Sequence, residues 1–181
     1  MKYKIGVLGS FKQEDEDVMK KSRKIGEIIA KNGCITLTGS GGGVPHEAIK
    51  SAKENNGFTV GISPANDLEE HKENKLPTEG FDMIIFTGFG YKGRNVITVR
   101  SCDAAIFISG GSGTLNDFTI AYDEGKLCGV LLGTGGITTI VKDLENIIKD
   151  RKSILGTVIY DSDPEKLVER VIKTLEEEGD E

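Results

Sequence analysis

The chain has no tryptophan, only two histidines (His46 and His71) and only three cysteines (Cys34, Cys102 and Cys128) in 181 residues. Each shortage closes a class of chemistry. Two histidines leave a histidine-rich metal centre short of ligands and give a Ser-His-acid triad few choices. The cysteines are far apart, odd in number and in no CxxC spacing, so they read as small apolar residues beside strands and no metal site is expected. No apolar run approaches the roughly 20 residues that span a bilayer. The opening MKYKIGVLGSF passes straight into a strand pattern instead of a signal-peptide core, so the expectation is a cytoplasmic protein with no membrane partner. Positive charge is short as well. Against 29 Asp+Glu stand 23 Lys+Arg, a net charge of −6, which argues against gripping a nucleic-acid backbone. A small anion is still within reach, held locally by backbone amides and one or two basic side chains.

Strand-like apolar runs and amphipathic helical stretches alternate from end to end, without linker, repeat or low-complexity block, and predict a single domain over residues 1–181. Tyr3–Leu8 reads as the first strand and Asp15–Lys31 as the first helix. In that helix Val18, Ser22, Ile25 and Ile29 share one face, and Glu14 to Asp17 put negative charge where the helix dipole favours it. Further strands are expected at Cys34–Thr38, Phe58–Ser63, Asp82–Thr87, Asp103–Ser109, Cys128–Gly133 and near Gly156–Tyr160. Helices are expected at about Pro45–Glu54, Asn95–Ser101, from Gly113, near Thr138–Lys149 and from Pro164, with the acidic tail EEEGDE solvated or frayed. The polar stretch from Pro64 to Phe81 is long enough to be a lid or a mobile segment. Near-continuous apolar strands with helical crossovers predict an α/β fold: a three-layer, Rossmann-like, doubly wound parallel sheet. Ligands of such sheets bind beyond the carboxyl ends of the strands, and glycines gather there: Gly9, Gly39 to Gly43, Gly88 to Gly93, Gly110 to Gly113 and Gly133 to Gly136.

Two of these turns carry chemistry. SGGSGT (Ser109–Thr114) can present backbone N–H groups and a helix N-terminus to a phosphate, with hydroxyls on Ser112 and Thr114. TGSGGG (Thr38–Gly43) repeats that chemistry on the same rim. Neither is a P-loop, because no Gly-Lys-Ser/Thr follows. Neither follows the first strand as a dinucleotide fingerprint requires, and the second strand ends in Thr38-Gly39 instead of an acid for a ribose. A nicotinamide or flavin enzyme is therefore disfavoured. Asp117, three residues after Thr114, is either a capping partner or a site acid. Arg94, ahead of the fifth strand, should reach the same rim, and Lys92 either adds charge near a phosphate or is a solvated loop lysine. Glu47 and His46 read as surface residues of the second helix.

These segments resemble the lysine-decarboxylase-like (Lonely Guy and SLOG) superfamily, which includes the cytokinin-activating phosphoribohydrolases and the molybdenum cofactor carrier proteins. The resemblance runs from GVLGS (Gly6–Ser10) through TGSGGGVPHEA (Thr38–Ala48) to GRNVITVRSCDAAIFISGGSGTLND (Gly93–Asp117). The superfamily's enzyme signature is PGGxGTxxE preceded by an Arg-Lys pair. Here Ser109 replaces proline, Asp117 replaces glutamate and Asn95 replaces lysine; with the GGGVP run, these departures place the chain nearest the carrier-like and uncharacterised branch. The resemblance implies Arg94 and Asp117 as catalytic residues in hydrolysis of a nucleoside 5′-monophosphate to free base and ribose 5-phosphate. It also implies Gly9, Ser10, Gly41, Gly42, Gly43, Gly110, Gly111, Ser112, Gly113 and Thr114 as the phosphate or nucleotide site. No cofactor is required for that reaction. The alternative it implies is a non-catalytic carrier or sensor of a bound nucleotide or pterin cofactor. The expected partners are a small phosphorylated ligand and further copies of the chain, as a homodimer or higher oligomer.

Overall fold

The computed structural model describes residues 2–148 and 155–179. Apolar runs too short for helices form seven strands: β1 (Lys4–Gly9), β2 (Ile35–Thr38), β3 (Phe58–Ser63), β4 (Met83–Phe86), β5 (Ala104–Ile108), β6 (Leu127–Leu131) and β7 (Val158–Asp161). All pair in parallel, in the order β4-β3-β2-β1-β5-β6-β7. β5 and β6 are buried along their whole length, which accounts for unbroken apolar sequence where a one-sided sheet would alternate. Successive residues of β5 still serve opposite faces. Ala104, Ile106 and Ile108 pack with α1 (Glu16–Lys31), α2 (Val44–Glu54) and α7 (Pro164–Gly179). Ala105 and Phe107 pack with α4 (Gly90–Arg100), α5 (Ser112–Asp123) and α6 (Val141–Ile148). The expected three-layer doubly wound sheet is the fold observed. All three cysteines are buried, and desolvation pushes the thiols of Cys102 and Cys128 up to about 12, so they pack as apolar residues.

Three elements depart from the sequence expectation. The stretch from Pro64 to Phe81 contains α3 (Leu68–Glu73). Asp67 caps it by accepting from Glu70 N at 2.9 Å, and the Glu70 carboxylate takes Asn66 N and Nδ2 at 2.7 Å. His71 fixes the segment to the sheet, fully buried, donating from Nε2 to the Pro77 carbonyl at 3.0 Å and accepting at Nδ1 from Ser63 Oγ at 2.8 Å. His46, expected at the surface, is buried instead; its Nε2 donates to the Glu79 carbonyl at 2.9 Å and its ring stacks on Phe81. Both histidines therefore tie the polar stretch down. Helix α4 begins at Gly90, several residues earlier than expected, because Gly90 and Gly93 mask its start with poor helix propensity. The helix expected near Thr138–Lys149 divides into a 3₁₀ turn (Gly136–Thr139) and α6, and Lys149 lies outside the described residues. In the acidic tail, residues 176–179 continue α7, while Asp180 and Glu181 lie outside the described residues. No helix among the described residues is long and apolar enough to cross a membrane.

Candidate functional site

The strand order changes direction between β1 and β5, whose following helices pack on opposite faces of the sheet. A crevice must open there, beyond their carboxyl ends. The loop after β1, the loop after β2, and two side chains from α4 and α5 meet in it. The resulting shallow cleft is lined by Arg94 and Asp117, by Gly9, Gly41 and Gly42, and by Leu8, Phe11, Gly39 and Pro45.

Arg94 reaches the cleft only because residue 39 has no side chain. A Cβ on Gly39 would fall on the Arg94 guanidinium, so the cation lies against the bare backbone where β2 ends. Its Nη1 donates to Asn95 Oδ1 at 2.8 Å, and Asn95 Nδ2 donates in turn to Asn116 Oδ1 at 2.8 Å, joining α4 to α5. Asn95 is itself buried. A lysine at that position has no acceptor to offer Arg94, so the Arg-Asn pair orients the guanidinium where an Arg-Lys pair would repel it. Arg94 Nε is buried with no hydrogen-bond partner. Burial lowers the guanidinium pKa, against the pull of Asp117.

Asp117 is 6% exposed, and its Oδ1 is likewise buried without a partner. Desolvation pushes this carboxyl up to about 6, although Arg94 and Lys92 pull it down. It does not act as the cap of α5, whose N-cap residue is Gly111 with no side-chain hydrogen bond. A buried carboxylate and a buried cation that line one cleft, each with a polar atom lacking a partner, are costly for a fold to keep unless something else binds there.

Helix capping divides by location. Asp15, Asp67 and Asp163 accept from backbone N–H groups at the starts of α1, α3 and α7. By contrast α2, α4 and α5 open on Gly43, Phe89 and Gly111 with no side-chain cap, and α4 and α5 carry no acid in the first turn. The one first-turn acid of α2, Glu47, is neutralised by Arg23 and Lys50. The loops feeding α2 and α5 thus leave positive helix ends uncompensated on the rim, where an anion is stabilised. Lys92 adds charge: its Nζ lies 3.9 Å from where a Cβ on Gly113 would be.

The residues expected at the site fall into three groups. Gly9, Gly41, Gly42, Arg94 and Asp117 share the cleft. Gly111, Ser112 and Gly113 form the uncapped start of α5 beside Lys92, whereas Thr114 is buried and turned back against Gly110, where a Cβ would clash with it. Ser10 and Gly43 shape the loop after β1. Ser10 O accepts from Val44 N at 2.9 Å, Ser10 Oγ accepts from Lys12 N at 3.3 Å, and a Cβ on Gly43 would strike the backbone of Phe11 and Lys12. Phe11, the role of the rim glycine Gly39 as the seat of Arg94, and the Asn95–Asn116 link were not read from the sequence. A lone large apolar residue within the polar loop SFKQED was the available signal for Phe11; for the others, only the approach of α4 to the end of β2 and its packing on α5 reveal the contacts.

Residues 2–168 match the SLOG cluster4 family. The chain belongs to the SLOG cluster4 family. An uncharacterized protein of Archaeoglobus fulgidus is 37% identical over 122 residues, covering 67% of this chain and 75% of that protein. Two solved structures share the SLOG cluster4 chain's architecture at 28% identity. The molybdenum cofactor binding protein of Rippkaea orientalis aligns over 97% of this chain and 98% of its own, with a TM-score of 0.78. The molybdenum cofactor carrier protein of Chlamydomonas reinhardtii aligns over 97% and 99%, with a TM-score of 0.79.

Proposed function

We propose that this SLOG cluster4 protein is a carrier or sensor that binds a phosphorylated small molecule, a pterin cofactor or a nucleotide, at the rim formed by the ends of β1, β2 and β5. The observation that carries the proposal is the Arg94 guanidinium held over Gly39 with a free Nε, beside two uncapped helix starts. Together they supply a fixed cation and convergent N–H donors, the groups that hold a phosphate. The likeness to a molybdenum cofactor binding protein of Rippkaea and a molybdenum cofactor carrier protein of Chlamydomonas makes a pterin cofactor the first ligand to try. Isothermal titration with a pterin monophosphate, AMP and GMP tests the reading, alongside mass spectrometry of whatever co-purifies. Saturable binding lost in Arg94→Ala is expected. No binding of any probe by the wild-type chain overturns it.

A second reading, hydrolysis of the N-glycosidic bond of a nucleoside 5′-monophosphate, draws on one observation. Asp117, raised to about 6 by burial, is near the range where a carboxyl serves as an acid or base at neutral pH. In this reaction the carboxylate would steady the oxocarbenium character growing on the ribose and polarise the incoming water, while Arg94 holds the phosphate. The shorter reach of aspartate weighs against it, because a displacement of about 1 Å costs on the order of a hundredfold in rate. Free base released from AMP or GMP by the wild type, and abolished in both Arg94→Ala and Asp117→Asn, would make hydrolysis the function.

A further inference from the structure

Phe11 is the feature of the cleft that phosphate binding leaves unexplained. Aromatic residues make up only 6% of the chain, yet Phe11 is 73% exposed, more than Phe89 at 68% or Tyr91 at 54%. A single exposed phenylalanine is ordinary on a protein surface. Two things set this one apart: it lines the same cleft as Arg94 and Asp117, and its backbone is held firmly. The side-chain-free Gly43 receives the Phe11 and Lys12 backbone, while Ser10 bonds both to Val44 N and to Lys12 N. The ring is thus presented from a pinned loop without being packed into the core. Beside it the cleft is bare: a Cβ on Gly41 would lie 3.9 Å from Phe11 Cβ, and one on Gly42 3.8 Å from Phe11 O, with no other group within 4 Å of either. Open space beside an exposed aromatic ring on a held backbone suits a planar ring, because offset stacking needs a face on each side and little else.

We propose that Phe11 is the platform on which the planar ring of the ligand stacks, so that the cleft selects ring-bearing phosphates over simple sugar phosphates. The inference rests on the phosphate-binding reading and deepens it: Arg94 and the helix starts hold the charged end, and Phe11 holds the ring. Phe11 is a specificity residue in this scheme, with no part in forming the anion site.

The test is isothermal titration of the wild type, Phe11→Ala and Phe11→Trp with a pterin monophosphate, GMP, AMP and ribose 5-phosphate, the last having the charged end without the ring. The expected result is that at least one ring-bearing probe binds the wild type more tightly than ribose 5-phosphate. Phe11→Ala should shrink that margin about 5- to 150-fold, the range lost when a stacking aromatic is removed, and leave ribose 5-phosphate unaffected. Phe11→Trp should keep the margin. If Phe11→Ala leaves it intact, or if ribose 5-phosphate binds the wild type as tightly as the ring-bearing probes, the ring platform is overturned while phosphate binding stands. If Phe11→Ala instead changes only the sedimentation of the unliganded protein, the ring covers another copy of the chain and the platform is again overturned. No binding by any of the four probes overturns both proposals.

Discussion

At the scale of single residues, Gly39 and Arg94 form one device. The space above residue 39 is occupied by the end of a flexible side chain, so Gly39→Ala should fold normally and displace the guanidinium. Its circular dichroism should match the wild type, while its affinity for a phosphorylated probe falls toward that of Arg94→Ala; unchanged affinity would show that the guanidinium does not need its place over Gly39. Asp117 makes an opposing prediction. In the binding reading its unpaired carboxylate competes for Arg94, so Asp117→Asn should hold an anionic probe at least as tightly as the wild type at pH 7. Loss of binding in titration would give Asp117 a direct ligand contact. The Asn95–Asn116 link belongs to this scale too. It was beyond sequence reasoning because an asparagine in a lysine's place reads as a loss, whereas the fold uses its carbonyl as an acceptor for Arg94.

At the scale of elements, the contrast between capped and uncapped helices sets stability against function. Gly111 has negative φ, and a Cβ there would meet nothing within 4 Å, so Gly111→Asp should supply the missing acceptor without strain. A helix cap together with a charge on the positive helix end stabilises by about 0.5–1 kcal/mol. The same charge occupies the place of a phosphate. Thermal denaturation should therefore show a higher midpoint in Gly111→Asp and titration a weaker phosphate complex, a pairing of signs that a purely structural turn would not give. Farther down α5, Phe118 is fully buried between Phe107 and Tyr122, with ring centroids 5.4 Å and 5.6 Å apart. Phe118→Ala should cost about 3–5 kcal/mol in urea denaturation, since the rigid layers on both sides cannot close the gap.

At the scale of the whole molecule, the buried carboxyl makes stability depend on pH. The pKa of Asp117 is about 6 in the folded protein against 3.8 as its ordinary value. The folded state therefore holds this proton more tightly than the unfolded state does. Its contribution is fully present below about pH 3.8 and is lost as the pH rises through 6, an effect on the order of 1–3 kcal/mol. Asp117→Asn, which cannot ionise, should gain stability over the wild type between pH 4 and 7, measured as the difference of urea midpoints at the two values. An equal difference at both would place the carboxyl in contact with solvent. What the sequence by itself determined was everything set by neighbours along the chain. Runs such as AAIFI and LCGVL are too apolar and too short for anything but buried parallel strands, their alternation with helices forces the doubly wound sheet, and glycines at the strand ends mark the binding rim. Tertiary structure alone decided what is made between distant segments. The approach of α4 to the end of β2 brings Arg94 onto Gly39, His71 and His46 fasten a stretch that reads as a loose lid, and Gly43 pins the loop that presents Phe11. Local patterns report propensity and burial, whereas these contacts depend on which backbone passes within a few ångströms of another, and that is fixed only when the layers pack.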